Sequence, residues 1–202
     1  MNFALTTTSI LDYAKQEYPD VKLVSKVDGD ETYHTNIGDF ALRVNQLANA
    51  LITSGIKAGD RVATLAWNNH RHLELYYAIS GIGAICHTIN PRYSAAQIQY
   101  IVNHAQDKAL YFDSSFTAIA KQLKNHNESI ENFVCLSSEH ASQEGDFTFT
   151  DYETQLAQCS SDFVWPQLDE NSGSALCYTS GTTGDPKGVL YTHRSTCLHS
   201  IM

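Results

Sequence analysis

Short apolar runs that alternate with helix-like stretches constrain this chain more than any other feature. Residues 61–66, 84–89, 109–112, 133–136 and 175–179 are compact runs rich in strand formers. Between them, apolar positions recur at helical spacing. Leu73, Tyr76, Tyr77 and Ser80 mark one helix, Ile98, Ile101, Val102 and Ala105 a second, and Phe116, Ile119, Ala120 and Leu123 a third. Upstream, Phe40, Val44, Leu47 and Leu51 share one helical face, with Gly55 shortly beyond. Ser94 with Gln97, and Thr150 with Glu153, have the spacing of capping boxes. Strands alternating with helices predict an α/β fold: a mostly parallel sheet with helices on both faces and right-handed crossovers. At 202 residues and 43% apolar, the chain can bury one sizeable core. Gly81-Ile82-Gly83 lies in an apolar run and reads as a close-packing feature rather than a nucleotide fingerprint.

The chemistry concentrates after the run at residues 175–179. There the chain reads Y-T-S-G-T-T-G-D-P-K from Tyr178 to Lys187. Gly181 and Gly184 let the backbone turn and a ligand approach closely. Successive N–H groups in such a turn form a concavity for anions. The hydroxyls of Thr179, Ser180, Thr182 and Thr183 add donors, and Lys187 adds a mobile positive charge. Hydrogen bonds to a charged phosphate contribute about 1.5–3 kcal/mol each, so three or four would supply micromolar-class affinity. In a parallel sheet, ligands bind beyond the carboxyl ends of strands, where this loop would lie. Residues 188–192 can then return as a strand paired with 175–179. The pattern is not a Walker P-loop, because Pro186 and Gly188 occupy positions that motif reserves for Gly and Ser or Thr. The bland alternative is a Gly/Thr-rich surface turn between strands.

Residues 179–189, T-S-G-T-T-G-D-P-K-G-V, resemble the phosphate-binding signature of the adenylate-forming (AMP-binding) superfamily. A second stretch, T-L-A-W-N-N-H-R-H-L-E-L-Y-Y-A-I-S-G-I-G-A-I-C-H-T-I-N-P-R from Thr64, is similar to the helix and Asn-Pro strand of fatty-acyl-CoA synthetases. Thr32-Tyr33 resembles that family's opening element. The resemblance implies an incomplete N-terminal part of the adenylate-forming fold, with residues 1–202 a truncated piece of the AMP-binding domain. It implies that a carboxylate, a fatty acid or another small acid, attacks the α-phosphate of ATP. The acyl-adenylate then passes to the thiol of coenzyme A. Ser180, Gly181, Thr182, Thr183, Gly184, Thr179 and Lys187 would hold the leaving pyrophosphate with Mg²⁺, with Lys187 and Thr183 as the catalytic pair. His193 would stand near the acyl or adenylate end, or serve only as a capping or surface residue. An aryl- or amino-acid-activating member, and a non-catalytic nucleotide- or partner-binding module, stand as alternatives. The complete enzyme could form a homo-oligomer.

Charge and cysteines narrow the setting. Residues 1–124 carry eleven acids and eleven bases, whereas residues 125–186 carry eleven acids and no Lys or Arg. No general basic field therefore draws in the nucleotide, and nucleic-acid binding, which wants a basic patch, is not expected. Five widely spaced cysteines without C-x-x-C read as buried hydrophobes in a reducing cytoplasm. Membrane spans and signal peptides are not expected. Among nine histidines no ligand set for a resident metal stands out; His193 and Cys197 are four apart, and His70 and His72 would not face one ion. Trp67, Tyr76 and Tyr77 fit either core packing or an acyl pocket. The helical run from Arg194 stops without a cap, and a cut sheet would leave an unpaired edge.

Overall fold

The computed structural model describes residues 4–27, 31–137, 147–179 and 185–201. Its centre is a seven-stranded sheet. The strands are β3 (Arg61–Leu65), β4 (Ile85–Thr88), β5 (Ala109–Phe112), β6 (Asn132–Cys135), β7 (Thr150–Asp151), β8 (Gly173–Thr179) and β9 (Lys187–Thr192), in the order β7-β6-β5-β3-β4-β8-β9. All neighbours are parallel except β8 and β9, which form an antiparallel pair. A separate antiparallel ribbon joins β1 (Lys22–Lys26) to β2 (Thr32–Asn36). The helices are α1 (Thr7–Glu17), α2 (Ile37–Thr53), α3 (His70–Gly81), α4 (Ala95–Ala105), α5 (Thr117–His126), α6 (Tyr152–Ala157) and α7 (His193–Ile201).

The sheet divides the core in two because side chains on a strand alternate faces. Val62, Cys86, Ala109, Tyr111 and Val134 pack with Val44, Leu47, Leu75 and Ile79 of α2 and α3. Ala63, Leu65, Leu110, Phe112 and Phe133 pack with Ile98, Ile101, Ala120 and Leu123 of α4 and α5. The expected two-faced parallel sheet is therefore what the chain forms. Its central strands β3 and β5 are buried almost end to end because both faces are covered, whereas the edge strand β9 is largely exposed.

Local signals hold with one exception. Ser94 and Gln97 make both bonds of a capping box at α4. The Thr150–Glu153 pair does not. Thr150 is drawn into β7 beside Val134, and Asp151 caps α6 by accepting from the Thr154 N–H at 2.6 Å. Glu153 is engaged elsewhere: it accepts from Arg43 at 2.9 and 3.0 Å and from Arg71 at 2.9 Å. Arg43 also donates to Glu74, which is 1% exposed and takes a further bond from the Tyr152 hydroxyl. The helix marked by Leu73, Tyr76, Tyr77 and Ser80 forms as α3; Leu75, Ala78 and Ile79 face the core, while Leu73 and Tyr76 remain 39% and 38% exposed.

Gly81 confirms the close-packing reading. A Cβ there would lie 2.4 Å from Trp165 Cζ3 and 2.8 Å from Thr8 Cγ2. Gly83 adopts φ 83° and Gly59 φ 85°, in the left-handed region that favours glycine. Among the described residues no helix is long and apolar enough to cross a membrane.

This packing can be tested in two ways. Gly81→Ala forces Trp165 out of place and should destabilise by about 1–3 kcal/mol, measured by chemical unfolding; an unchanged midpoint would contradict the packing. Burial pushes the imidazoles of His70 and His72 down to about 4, with Arg71 adding to the effect at His70. Both are neutral when folded, so between the unfolded value of about 6.5 and about 4 the unfolded chain binds more protons. Stability is therefore full above that window and falls as pH drops through it. The double change His70→Asn, His72→Asn should flatten this slope; an unaltered slope in pH-dependent unfolding would contradict the assignment.

Candidate functional site

The site is built on the hairpin of β8 and β9. β8 is held on one side by β4, with Cys86 opposite Ala175 and Thr88 opposite Cys177, and on the other by β9. The Thr88 hydroxyl and Cys177 Sγ, 3.1 Å apart, add a side-chain link across the first junction. In the second, Tyr178 faces Gly188 and Thr179 faces Lys187. The two ends of the Gly/Thr-rich segment are thus brought side by side at the carboxyl end of β8. Ser180, Gly181, Thr182, Thr183 and Gly184 lie outside the described residues. Of the expected phosphate-binding residues the structure therefore places Thr179 and Lys187, both exposed and adjacent. Among the described residues no carboxylate pairs with Lys187.

Parallel sheets often bind ligands where the strand order reverses, here between β3 and β5. That crevice is bridged by protein. The Trp67 N–H donates to Asp113 Oδ2 at 2.6 Å, and Trp67 Nε1 donates to Ser115 at 3.1 Å. The carboxyl end of β8 lies two strands away from it.

His193 opens α7 and is fully buried. Its Nδ1 accepts from the Thr7 N–H at 3.3 Å and lies 3.2 Å from the Thr7 hydroxyl, which meets Ser80 Oγ at 2.8 Å. His193 therefore caps a helix that is not its own, satisfying an N–H that the first turn of α1 cannot bond internally. Accepting at Nδ1 leaves the proton on Nε2, which has no partner among the described residues. Burial lowers the imidazole's affinity for a second proton, so the ring is held neutral. Nearby, Thr7, Ile10, Leu73, Tyr76, Tyr77, Ser80, Ser174, Ala175 and Thr196 line a largely apolar cavity of about 330 Å³. Trp67 is 51% exposed and Tyr76 38% exposed, so neither is core, whereas Tyr77 packs against the core.

Sequence reasoning missed a buried polar pair beneath the site. His87 Nδ1 on β4 lies 2.8 and 3.0 Å from the two oxygens of Asp107, and both residues are 0% exposed. The partners are 20 positions apart and lie in different elements, so no local spacing announces them. Burial raises the Asp107 carboxyl, and the His87 imidazole offsets part of that rise. Among the described residues no group of three or more His, Cys, Asp or Glu converges as metal ligands would. None of the five cysteines forms a disulfide; Cys86, Cys135 and Cys197 are buried, and burial pushes the Cys86 thiol well up, as in an inert structural cysteine.

Comparison with known proteins places the chain in a family. The chain is 43% identical, over its whole length, to a 3-methylmercaptopropionyl-CoA ligase of Ruegeria lacuscaerulensis, of which it spans 38%. It is 41% identical, again over its whole length, to a medium-chain-fatty-acid–CoA ligase of Ectopseudomonas oleovorans, spanning 37% of that protein. The crystal structure of an anthranilate CoA ligase in complex with anthranoyl-AMP superposes with a TM-score of 0.84 at 20% identity, covering 96% of this chain and 36% of the ligase. The chain thus spans little more than a third of the length of the relatives it matches. With the AMP-binding enzyme family model matched across residues 11–201, the chain belongs to the AMP-binding enzyme family.

Proposed function

We propose that this chain is the N-terminal portion of the adenylation domain of an ATP-dependent fatty-acid–CoA ligase. It would form an acyl-adenylate and then a thioester with coenzyme A. The observation that carries the reading is the β8–β9 hairpin, which sets Lys187 opposite Thr179 at the carboxyl end of β8. The ligase names of the relatives support it. Their carboxylates range from a sulfur-containing propionate to medium-chain fatty acids, so the acid is the finest part of the proposal. Five cysteines without a disulfide fit a reducing, cytoplasmic setting.

In this mechanism Thr179, Ser180, Gly181, Thr182, Thr183 and Gly184 supply hydroxyl and backbone donors to the β- and γ-phosphates. Lys187 neutralises charge that grows on the leaving pyrophosphate, and Thr183 donates beside it. Donors fixed in advance stabilise the transition state more than the ground state. Mg²⁺ enters with ATP as part of the substrate and supplies charge neutralisation on the phosphates. His193 contributes near the acyl or adenylate end through its one remaining donor, Nε2–H.

The test is carboxylate-dependent exchange of pyrophosphate into ATP by the full-length protein, run with fatty, aryl and amino acids. The reading expects exchange with fatty acids and a thioester product with coenzyme A. Exchange confined to an aryl or amino acid would move the protein to another branch. Saturable Mg-ATP binding by the 202-residue chain, with no exchange by the full-length protein, would make it a binding module. Lys187→Ala should lower kcat for adenylation by about 10²–10³-fold, the usual effect of removing one preorganised donor, with a smaller change in ATP affinity. An unchanged kcat would remove Lys187 from the mechanism.

A further inference from the structure

We infer that Tyr93 and His104 are positioning residues for the phosphate site, acting through Tyr178. The inference rests on the ligase reading above and concerns residues which that reading leaves without a role.

Tyr178 is the last residue of β8 before Thr179, so its placement sets where the Gly/Thr-rich segment begins. Although it stands next to the exposed Thr179, it is only 8% exposed. Two contacts from distant parts of the chain fix it. The Tyr93 hydroxyl donates to the Tyr178 carbonyl at 3.0 Å, and His104 Nδ1 shares a 2.6 Å hydrogen bond with the Tyr178 hydroxyl. Tyr93 lies in the turn after β4, and His104 lies in the last turn of α4. One contact therefore holds the main chain and the other the side chain.

The surroundings leave the ring nowhere else to go. The His87 ring packs against it with centroids 5.2 Å apart, and Asp107 holds His87 from below. Across the hairpin, Gly188 is the residue paired with Tyr178, and a Cβ there would lie 3.2 Å from Tyr178 Cζ. The residue that precedes Thr179 and the residue that follows Lys187 are thus fitted to one another. A site that stabilises a transition state by fixed donors needs this, since a misplacement of about 1 Å can cost about 10²-fold in rate. Neither hydrogen bond is part of the sheet ladder, so each can be removed with the strands still paired.

The experiment compares Tyr93→Phe, His104→Ala and His104→Asn with wild type in the full-length protein. The His104→Asn change would place a side-chain amide where Nδ1 now lies. The readouts are pyrophosphate exchange, calorimetric titration with Mg-ATP, the thermal midpoint, and hydrogen exchange at the Thr179 amide. Tyr93→Phe and His104→Ala should each lower kcat for adenylation by about tenfold, leave KM for the carboxylate within twofold, and speed exchange at Thr179. His104→Asn should recover most of the rate. Wild-type kcat and unchanged Thr179 exchange in both variants would overturn the inference and leave the ligase reading intact. So would equal losses in His104→Asn and His104→Ala, or losses that merely follow a fall in the thermal midpoint. A wild-type protein with neither exchange activity nor Mg-ATP binding would overturn both.

Discussion

The insertion of β8 between β4 and β9 is the constraint on which the rest of the molecule depends. β8 reaches the sheet only after the chain has laid down β5, β6 and β7 on the far side of β3 and returned. Its parallel pairing with β4 orients its carboxyl end like those of the other strands, and its antiparallel pairing with β9 folds the chain straight back. A parallel return would need a crossover of a dozen or more residues. The antiparallel return needs only the seven residues between Thr179 and Lys187, and so keeps a hydroxyl residue and a cation together.

Several buried polar groups elsewhere in the fold add little net stability but restrict which arrangement is possible. Unpaired, the carboxyls of Asp107 and Glu74 would be costly, at about 3–5 kcal/mol for a broken buried pair. Each finds a partner on a different element: His87 on β4 for Asp107, and Arg43 on α2 for Glu74. His193 ties the start of α1 to the start of α7 in the same way. Such contacts penalise mispacked alternatives more than they reward the native one.

Much of this was legible in the sequence, for physical reasons that differ by element. Strands covered on both faces are apolar runs, so β3, β4, β5, β6 and β8 announce themselves. The return of β9 was legible because only a hairpin fits so short a connection. The Ser94–Gln97 box was legible because capping is local. The Thr150–Glu153 box was misread because sheet pairing took Thr150 and a distant arginine cluster took Glu153. The helix α3 was legible from its period, but which of its residues face the core was not, since Leu73 and Tyr76 border a cavity rather than the sheet. His87–Asp107, Tyr93–Tyr178 and His104–Tyr178 span 20, 85 and 74 positions, beyond the reach of any periodicity. α1 escaped because its face is mixed: Thr7, Thr8 and Leu11 are its buried residues, and two of the three are hydroxyl-bearing.

The central claim is that the nucleotide's phosphates sit beyond β8 rather than in the crevice between β3 and β5. The most direct measurement is a crystal structure of the full-length protein with Mg²⁺ and a non-hydrolysable ATP analogue. The account predicts β- or γ-phosphate oxygens within about 3 Å of Lys187 Nζ, the distance of a charge-assisted hydrogen bond, with the Trp67–Asp113 bridge still closed. Phosphates lodged between β3 and β5, with that bridge opened and Lys187 left in solvent, would contradict it.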